Sequence, residues 1–214
     1  MQLGTRRMEK IILIGGGGHC HACIDVIKLQ GFFEVAGIIE SSEINSKSSV
    51  LEYPVIGTDN DLKKYISQYK NVLITIGQIK RSSRRLTLFN LCKELGGIFP
   101  VIISPRAYIS PNATIQEGTI VMHSATVNMG AAIGSNCIIN SHALIEHDVS
   151  VGNHTHISTG AIINGNSQIG DECFVGSGSL VRNGIKVENN CLIGMGQTVL
   201  QDMPFNTNWI KKIQ

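Results

Sequence analysis

From Ile103 to Pro204 the chain divides into seventeen consecutive six-residue windows, each opened by Ile or Val. The leads begin with Ile103, Ile109, Ile115 and Val121, pass through Ile145, Val151, Ile157 and Ile163, and end with Ile193 and Val199. No window is interrupted. Four positions after most leads stands a small residue, as at Ala107, Ala113, Ala125, Ala131, Ala143, Ala161 and Ser179. A period of six fits neither a helix nor an alternating strand. It fits a hexapeptide β-helix, in which short strands stack into a prism and each lead aliphatic points inward. The small residue then occupies a crowded corner that a larger side chain would force open.

The first hundred residues follow a different pattern. Short β-rich runs at Lys10–Ile14, Val35–Ile39, Pro54–Gly57 and Val72–Ile76 alternate with helical patterns over Cys23–Leu29, Asp61–Tyr69 and Arg81–Leu95. Asp59 is the capping candidate for the second helix, and Gly96-Gly97 stops the third. Such alternation implies parallel β-α-β units. The expected organisation is an unpatterned leader over 1–7, with Met8 an alternative start. A Rossmann-like α/β domain over 8–101 and the β-helix over 102–204 follow. A tail over 205–214 leaves the repeat as a short helix or loop.

Composition narrows the function. A net charge of +2 with no long basic run argues against a nucleic-acid surface. The longest apolar stretches, such as Ile11–Ile14 and Leu73–Ile76, are too short to span a membrane. Gly15–Gly18 ends the first apolar run too early for a signal peptide. Of the six cysteines, Cys137, Cys173 and Cys191 fall at the small inward position of their windows and read as core fillers. Cys20 and Cys23 form a C-x-x-C flanked by His19 and His21, a pattern open to redox or metal chemistry. Only Cys92 remains to complete a set, so buried reduced thiols and a cytoplasmic protein are expected.

Gly15–Gly18 and His19 fall where a strand passes into a helix, which is where backbone N–H groups and the helix dipole hold phosphate. The dinucleotide pattern needs glycine at position 20, and Cys20 stands there, which argues against NAD. A smaller nucleoside diphosphate and a purely structural turn both remain open. In an open α/β sheet the ligand crevice lies at the carboxyl ends of the strands, which here gathers Gly17, Gly18, His19, Glu40, Ser41 and Gly77.

Five histidines lie within the repeat, His123, His142, His147, His154 and His156, and none is a lead. His147 precedes Asp148, and a carboxylate beside an exposed imidazole can hold one tautomer and favour a general base. His142 and His147, five residues apart, also match two ligands of a γ-carbonic-anhydrase-like zinc hydrolyase. The third ligand would have to be histidine where Arg106 or Pro111 stands, so no metal is expected. A non-catalytic sugar-binding module is a further reading.

Four segments carry a resemblance across both halves: Lys10–His19, Ile74–Gln78, Ile139–Asp148 and Asn153–Gly160. Through them the chain resembles the left-handed β-helix sugar acetyltransferases of the bacterial N-acetylbacillosamine and sialic-acid pathways. The resemblance implies an acetyl-CoA-dependent enzyme that N-acetylates a nucleotide-activated amino sugar by direct attack, with sialic-acid-type O-acetylation as the alternative. By that likeness His147 is the general base and Asp148 raises its basicity. His156 meets the thioester end of acetyl-CoA, with Gly176, Ser177, Gly194 and Met195 along the coenzyme. Gly17, Gly18, His19, Glu40, Ser41, Gly77 and Asn140 hold the sugar nucleotide. A homotrimer with sites between neighbouring prisms is implied as well. The chain departs from the family's pattern in two places. Glu40-Ser41 stands where two aspartates are frequent. The run from Asp202 to Trp209 replaces the usual Gly-Val-Pro-Ala-Lys turn, so no contact to the distal coenzyme carries over.

Overall fold

Three six-residue windows close one eighteen-residue coil. In the computed structural model, which describes residues 8–41, 48–79 and 83–210, each window supplies a two-residue strand and a corner. Residues eighteen apart therefore pair in parallel register, Val127 with Ile145 and Ile145 with Ile163. Among the described residues this makes a left-handed prism of three faces. Face one runs from Ile102–Ile103 to Asn208–Trp209, face two from Tyr108–Ile109 to Thr198–Val199, and face three from Thr114–Ile115 to Lys186–Val187. Leads from Val121 to Val199 are buried in one continuous column with Ala125, Ala143, Ala161 and Cys173. Burying each such aliphatic contributes roughly 1.5–3 kcal/mol.

Corners impose their own rule. The third residue after a lead commonly has positive φ, and Gly118, Gly130 and Gly160 fill that slot alongside Ser124, Asn136, His142, Asp148 and His154. Short polar residues tolerate the left-handed region better than bulky or β-branched ones. Backbone conformation suits His142 and His154 to their corners, and His154 also packs edge-on against Phe89 with its Nδ1 3.0 Å from Asn136 Nδ2.

Before the prism stand β1 (Glu9–Ile14), α1 (Gly18–Gln30), β2 (Phe33–Glu40), β3 (Ser49–Val50), β4 (Tyr53–Thr58), α2 (Leu62–Tyr69), β5 (Asn71–Ile74) and α3 (Ser83–Glu94). Their sheet has the order β3-β4-β2-β1-β5 and is parallel except for β3 against β4. Side chains alternate across it. Ile11 and Leu13 pack with α1 and with Ile102, Ile120 and Ile138 of prism face one, whereas Ile12 and Ile14 pack with α2 and α3. The sheet and α1 therefore cover the lower part of face one.

The junction is fastened by a buried cation. Arg85 is 2% exposed, and its guanidinium donates to the carbonyls of Ile74 and Ile76 at 3.0 and 2.6 Å. From α3 it also reaches across to Asn136 on the prism, donating to its carbonyl at 3.0 Å and its side-chain oxygen at 2.8 Å. Burial lowers its pKa to about 10, which leaves it charged at neutral pH. A second tie joins Asp25 of α1 to His123, whose other ring nitrogen meets the Ser104 hydroxyl.

The extended piece expected at Pro54–Gly57 is part of β4, which pairs in parallel with β2 and in an antiparallel hairpin with Ser49–Val50. Two sequence expectations need correction. Asp59 does not cap α2: a 3₁₀ turn spans Asp59–Asp61, and the Thr58 N–H and hydroxyl donate to the Asp61 carboxylate at 2.9 and 3.2 Å. The chain after residue 204 also stays on the prism. Asn208–Trp209 pairs with Leu192–Ile193, and buried Met203 bridges to Val187. Trp209 takes the inward slot above Ile193, where its ring covers the last apolar layer. The leader over 1–7, Arg81 and the last four residues of the tail lie outside the described residues.

Removing one lead should therefore be costly. Ile145→Ala should destabilise the protein by about 2–5 kcal/mol. Thr198→Ala, on an outward strand position, should stay within about 0.5 kcal/mol. Urea denaturation of the two variants checks this, and equal small effects would contradict the inward column.

Candidate active site

The glycine loop frames a cavity of about 330 Å³ at the carboxyl ends of β1, β2 and β5, lined by Gly15–His19, Ile39, Glu40, Ser41, Asp59, Ile76, Gly77, Ile79 and Arg84. All six crevice residues expected from the sequence lie in that wall. Gly15 has φ +101, and any side chain there would drive into Ile76. Gly17 is the N-cap of α1 and brings no side chain to its first turn; the Cys20 N–H donates to the Gly17 carbonyl at 2.9 Å, which leaves the Gly18 and His19 N–H groups, both in the cavity wall, without a side-chain cap. Glu40 is 9% exposed and already engaged, accepting the Gly16 N–H at 2.9 Å and the Ser41 N–H at 3.1 Å. It holds the loop against the strand end as well as facing the cavity. Burial, then the nearby Arg85 and His156, lowers the His19 pKa to about 3, so the ring is neutral. The adjoining thiols stay protonated: burial raises Cys20 to about 11 and raises Cys23 further still. A C-x-x-C of that kind is a packing element, not a thiolate pair.

His156 on face one is tied to Gln78 beside the cavity, and Asn140, Gly176, Ser177, Gly194 and Met195 stand along the edge between faces one and two. Asn140, Gly176 and Gly194 fall in the same position of coils one or two turns apart, directly after the leads Ile139, Val175 and Ile193. Met195 is 76% exposed at that edge. His156 is 7% exposed and sits on face one itself. Its Nδ1 donates to the Gln78 carbonyl at 2.7 Å, which leaves Nε2 to accept from Asn140 Nδ2 at 3.2 Å. Burial, the largest cause, lowers its pKa to about 4. The Gln78 side chain donates to the Cys173 carbonyl at 3.3 Å. Gln78 thus ties the cavity wall to the prism, in a segment the sequence singled out without assigning it a role.

His147 and Asp148 stand elsewhere, at the edge between faces two and three, after the face-two strand Leu144–Ile145. The His147 Nδ1 lies 2.9 Å from Asp148 Oδ2, and both side chains are more than half exposed. With the Nδ1 proton held by the carboxylate, Nε2 is the acceptor, and among the described residues it makes no hydrogen bond. The ring rests on Gly165 of the next coil, where a Cβ would come within 2.5 Å of Nε2. Beneath it, Glu146 accepts from Asn128 Nδ2 at 3.0 Å and from the His147 N–H at 3.3 Å. Gly165, Asn128, Gln78, Asp59 and Arg84 were not assigned to the site from sequence. Each comes from a different segment and meets its neighbours only through the fold.

One chain therefore gathers the cavity, Gln78, His156 and Asn140 on one edge and carries His147-Asp148 on another, with face two between them. His142 and His147 likewise sit at different corners. Among the described residues no group of three His, Cys, Asp or Glu is arranged to hold a metal ion, and no helix is long and apolar enough to cross a membrane.

A prism of this kind is what the chain shares with acyltransferases of the hexapeptide-repeat class. A model of the PglD N-terminal domain matches residues 10–87, and one of the hexapeptide repeat of succinyl-transferase matches residues 168–201. The chain is similar to perosamine N-acetyltransferase from Caulobacter crescentus, at 27% identity and TM-score 0.88 over 94% of this chain and 93% of that one. That protein was solved as a histidine-to-asparagine variant with CoA and GDP-perosamine. It is also similar to the acetyltransferase domain of PglB from Neisseria gonorrhoeae, at 29% identity and TM-score 0.86 over 94% and 95%. WeeI from Acinetobacter baumannii, at 21% identity and TM-score 0.82 over 94% and 96%, shares the fold. No curated protein matches the chain by sequence. The resemblance to sugar N-acetyltransferases that join a PglD-type domain to a left-handed β-helix thus holds over both halves.

The buried histidines make stability pH-dependent. His19 and His156 are depressed in the folded state, to about 3 and about 4, from 6.5. Between those values the unfolded chain binds more protons, so their contribution is present above about pH 6.5 and is lost as pH falls towards 4. Thermal unfolding should show Tm dropping across that window. His156→Gln, which cannot protonate, should flatten part of the slope; an unchanged slope would contradict the assignment.

Proposed function

We propose that this protein transfers the acetyl group of acetyl-CoA to the amine of a nucleotide-activated amino sugar, in bacterial glycan biosynthesis. The observation that carries the reading is the His147-Asp148 pair, with its bare Nε2 on a prism edge, in a chain whose PglD-type domain holds a glycine-loop cavity. The α/β domain, residues 8–101, binds the sugar nucleotide through Gly17, Gly18, His19, Glu40, Ser41 and Gly77. The β-helix, residues 102–204, carries out acyl transfer. His156 and Asn140, bonded to one another, form the wall beside the acyl group, and Gly176, Ser177, Gly194 and Met195 line the coenzyme's path up the same edge. Buried, protonated thiols fit the reducing cytoplasm.

The sugar amine attacks the thioester carbonyl as His147 Nε2 takes its proton. The C–N bond forms, the C–S bond breaks, and coenzyme A leaves as the thiolate. Asp148 holds the ring in the accepting tautomer and favours the imidazolium as it forms. No serine or cysteine nucleophile is used.

Because His147 and the cavity lie on different edges of one prism, the site is completed by a second copy. Head-to-tail contacts of that kind close into a ring, and a homotrimer is the assembly we assign. Face two turns Leu144, Ile162 and Leu180 outward between the two edges, an apolar strip suited to that contact.

His147→Ala should lower kcat by ~100- to ~10,000-fold while leaving sugar-nucleotide affinity nearly unchanged. Asp148→Ala should cost less. Steady-state kinetics with a thiol-detecting assay decides it. A His147→Ala variant within about threefold of wild-type kcat would put the proton transfer elsewhere.

A further inference from the structure

We propose that Arg84, steadied at the cavity mouth by Asp59, grips the pyrophosphate of the sugar nucleotide and so restricts the acceptor to nucleoside-diphosphate sugars. The proposal rests on reading the glycine-loop cavity as the nucleotide site. Three features of the wall support it.

Arg84 is the one arginine or lysine lining the cavity among the described residues, and it enters from the first turn of α3. The other basic side chain there, His19, is held neutral by burial. The single glutamate, Glu40, has its oxygens directed at the Gly16 and Ser41 N–H groups, so its charge is partly met by backbone donors. The wall thus offers an anion two donor groups on separate elements, the uncapped first turn of α1 and the Arg84 guanidinium. Two donors on different walls suit two phosphates, whereas a nucleoside monophosphate has one phosphate for both.

Arg84 Nη2 lies 3.2 Å from Asp59 Oδ2, with side-chain exposures of 46% and 30%. A pair this open to water contributes little stability of its own. A guanidinium has five donors, so it can keep Asp59 on one edge and present another to a phosphate, or exchange one for the other at low cost. Asp59 and Arg84 stand at the amino-terminal ends of neighbouring elements, the 3₁₀ turn before α2 and α3. That position keeps the side chain at the mouth without burying it. The geometry makes Arg84 a phosphate clamp and Asp59 its holder, and both roles lie outside the acyl-transfer step.

The test is calorimetric titration of the full-length protein with UDP, GDP, UMP, GMP, uridine and guanosine. Arg84→Ala should weaken the better-binding diphosphate by about 10- to 100-fold, as loss of a charged hydrogen-bonding partner does. It should change affinity for the matching nucleoside by less than about twofold and flatten the salt dependence of diphosphate binding. Arg84→Lys should recover part of the loss. Asp59→Asn removes the ion pair but keeps the guanidinium, so it should hold diphosphate affinity within about threefold of wild type. Equal losses in Arg84→Ala and Asp59→Asn would make the pair a structural staple and overturn the assignment. So would equal weakening of diphosphate and nucleoside. If wild type bound none of the six, the reading of the cavity itself would fall, a result distinct from either of these.

Discussion

Leads eighteen residues apart pair in parallel register, Val127 on Ile145 on Ile163, and the column they bury sets the rise and rotation of every coil. All surface positions on the prism inherit that geometry. A residue one place after a lead lies on an edge, and one three places after it has positive φ in every window from Gly118 to Gly196. Slipping a window by one residue would turn an aliphatic lead into solvent and bring its polar neighbour inside, so the register is held from Ile103 to Val199. The uninterrupted leads are therefore the condition for placing any chemical group on the outside.

The pair His147-Asp148 shows how register becomes chemistry. His147 is two residues after the lead Ile145, on the outer edge, and Asp148 is in the left-handed slot that follows. The reversal of the backbone there brings the carboxylate to 2.9 Å from Nδ1 and leaves Nε2 over Gly165 of the next coil. Gly165 clears the space above the ring. An acid-base pair is thus assembled from consecutive residues by a backbone turn, with no long-range packing required beyond one glycine. Cavity and junction work differently. Glu40 on Gly16 joins two strand ends within the α/β domain, while Gln78 on His156 and Arg85 on Asn136 bind that domain to the prism as one site-bearing unit.

Periodicity explains which parts of this were legible in the sequence. The prism, its faces and the corner role of small residues follow from a repeat of six, because the repeat is the structure. The strand-to-helix glycine loop was legible because its backbone needs are local. Asp59 and Arg84 were not, since each reads as an ordinary helix-start residue until the loops meet. Trp209 was missed because the window after Val199 is two residues short: the next inward residue is Met203, bridged to Val187, and Trp209 follows it by six, out of step with the earlier leads. The separation of His147 from His156 was hidden for the opposite reason. Nine residues look close in sequence, but in a six-residue repeat they are one and a half windows, which places the two rings on different parts of the prism.

The central claim is that His147 of one copy serves the cavity of its neighbour. Complementation tests it directly. Copies carrying His147→Ala are unfolded and refolded, or co-expressed, with copies carrying Gly17→Glu, a change whose side chain has open space but places a carboxylate at the cavity. Each variant alone should be nearly inactive. If sites form between copies, mixed assemblies should regain up to about a quarter of wild-type activity, the share of sites that receive an intact half from each partner. Mixtures no more active than the separate variants, from assemblies shown to contain both, would mean that each site lies within one chain and would contradict the account.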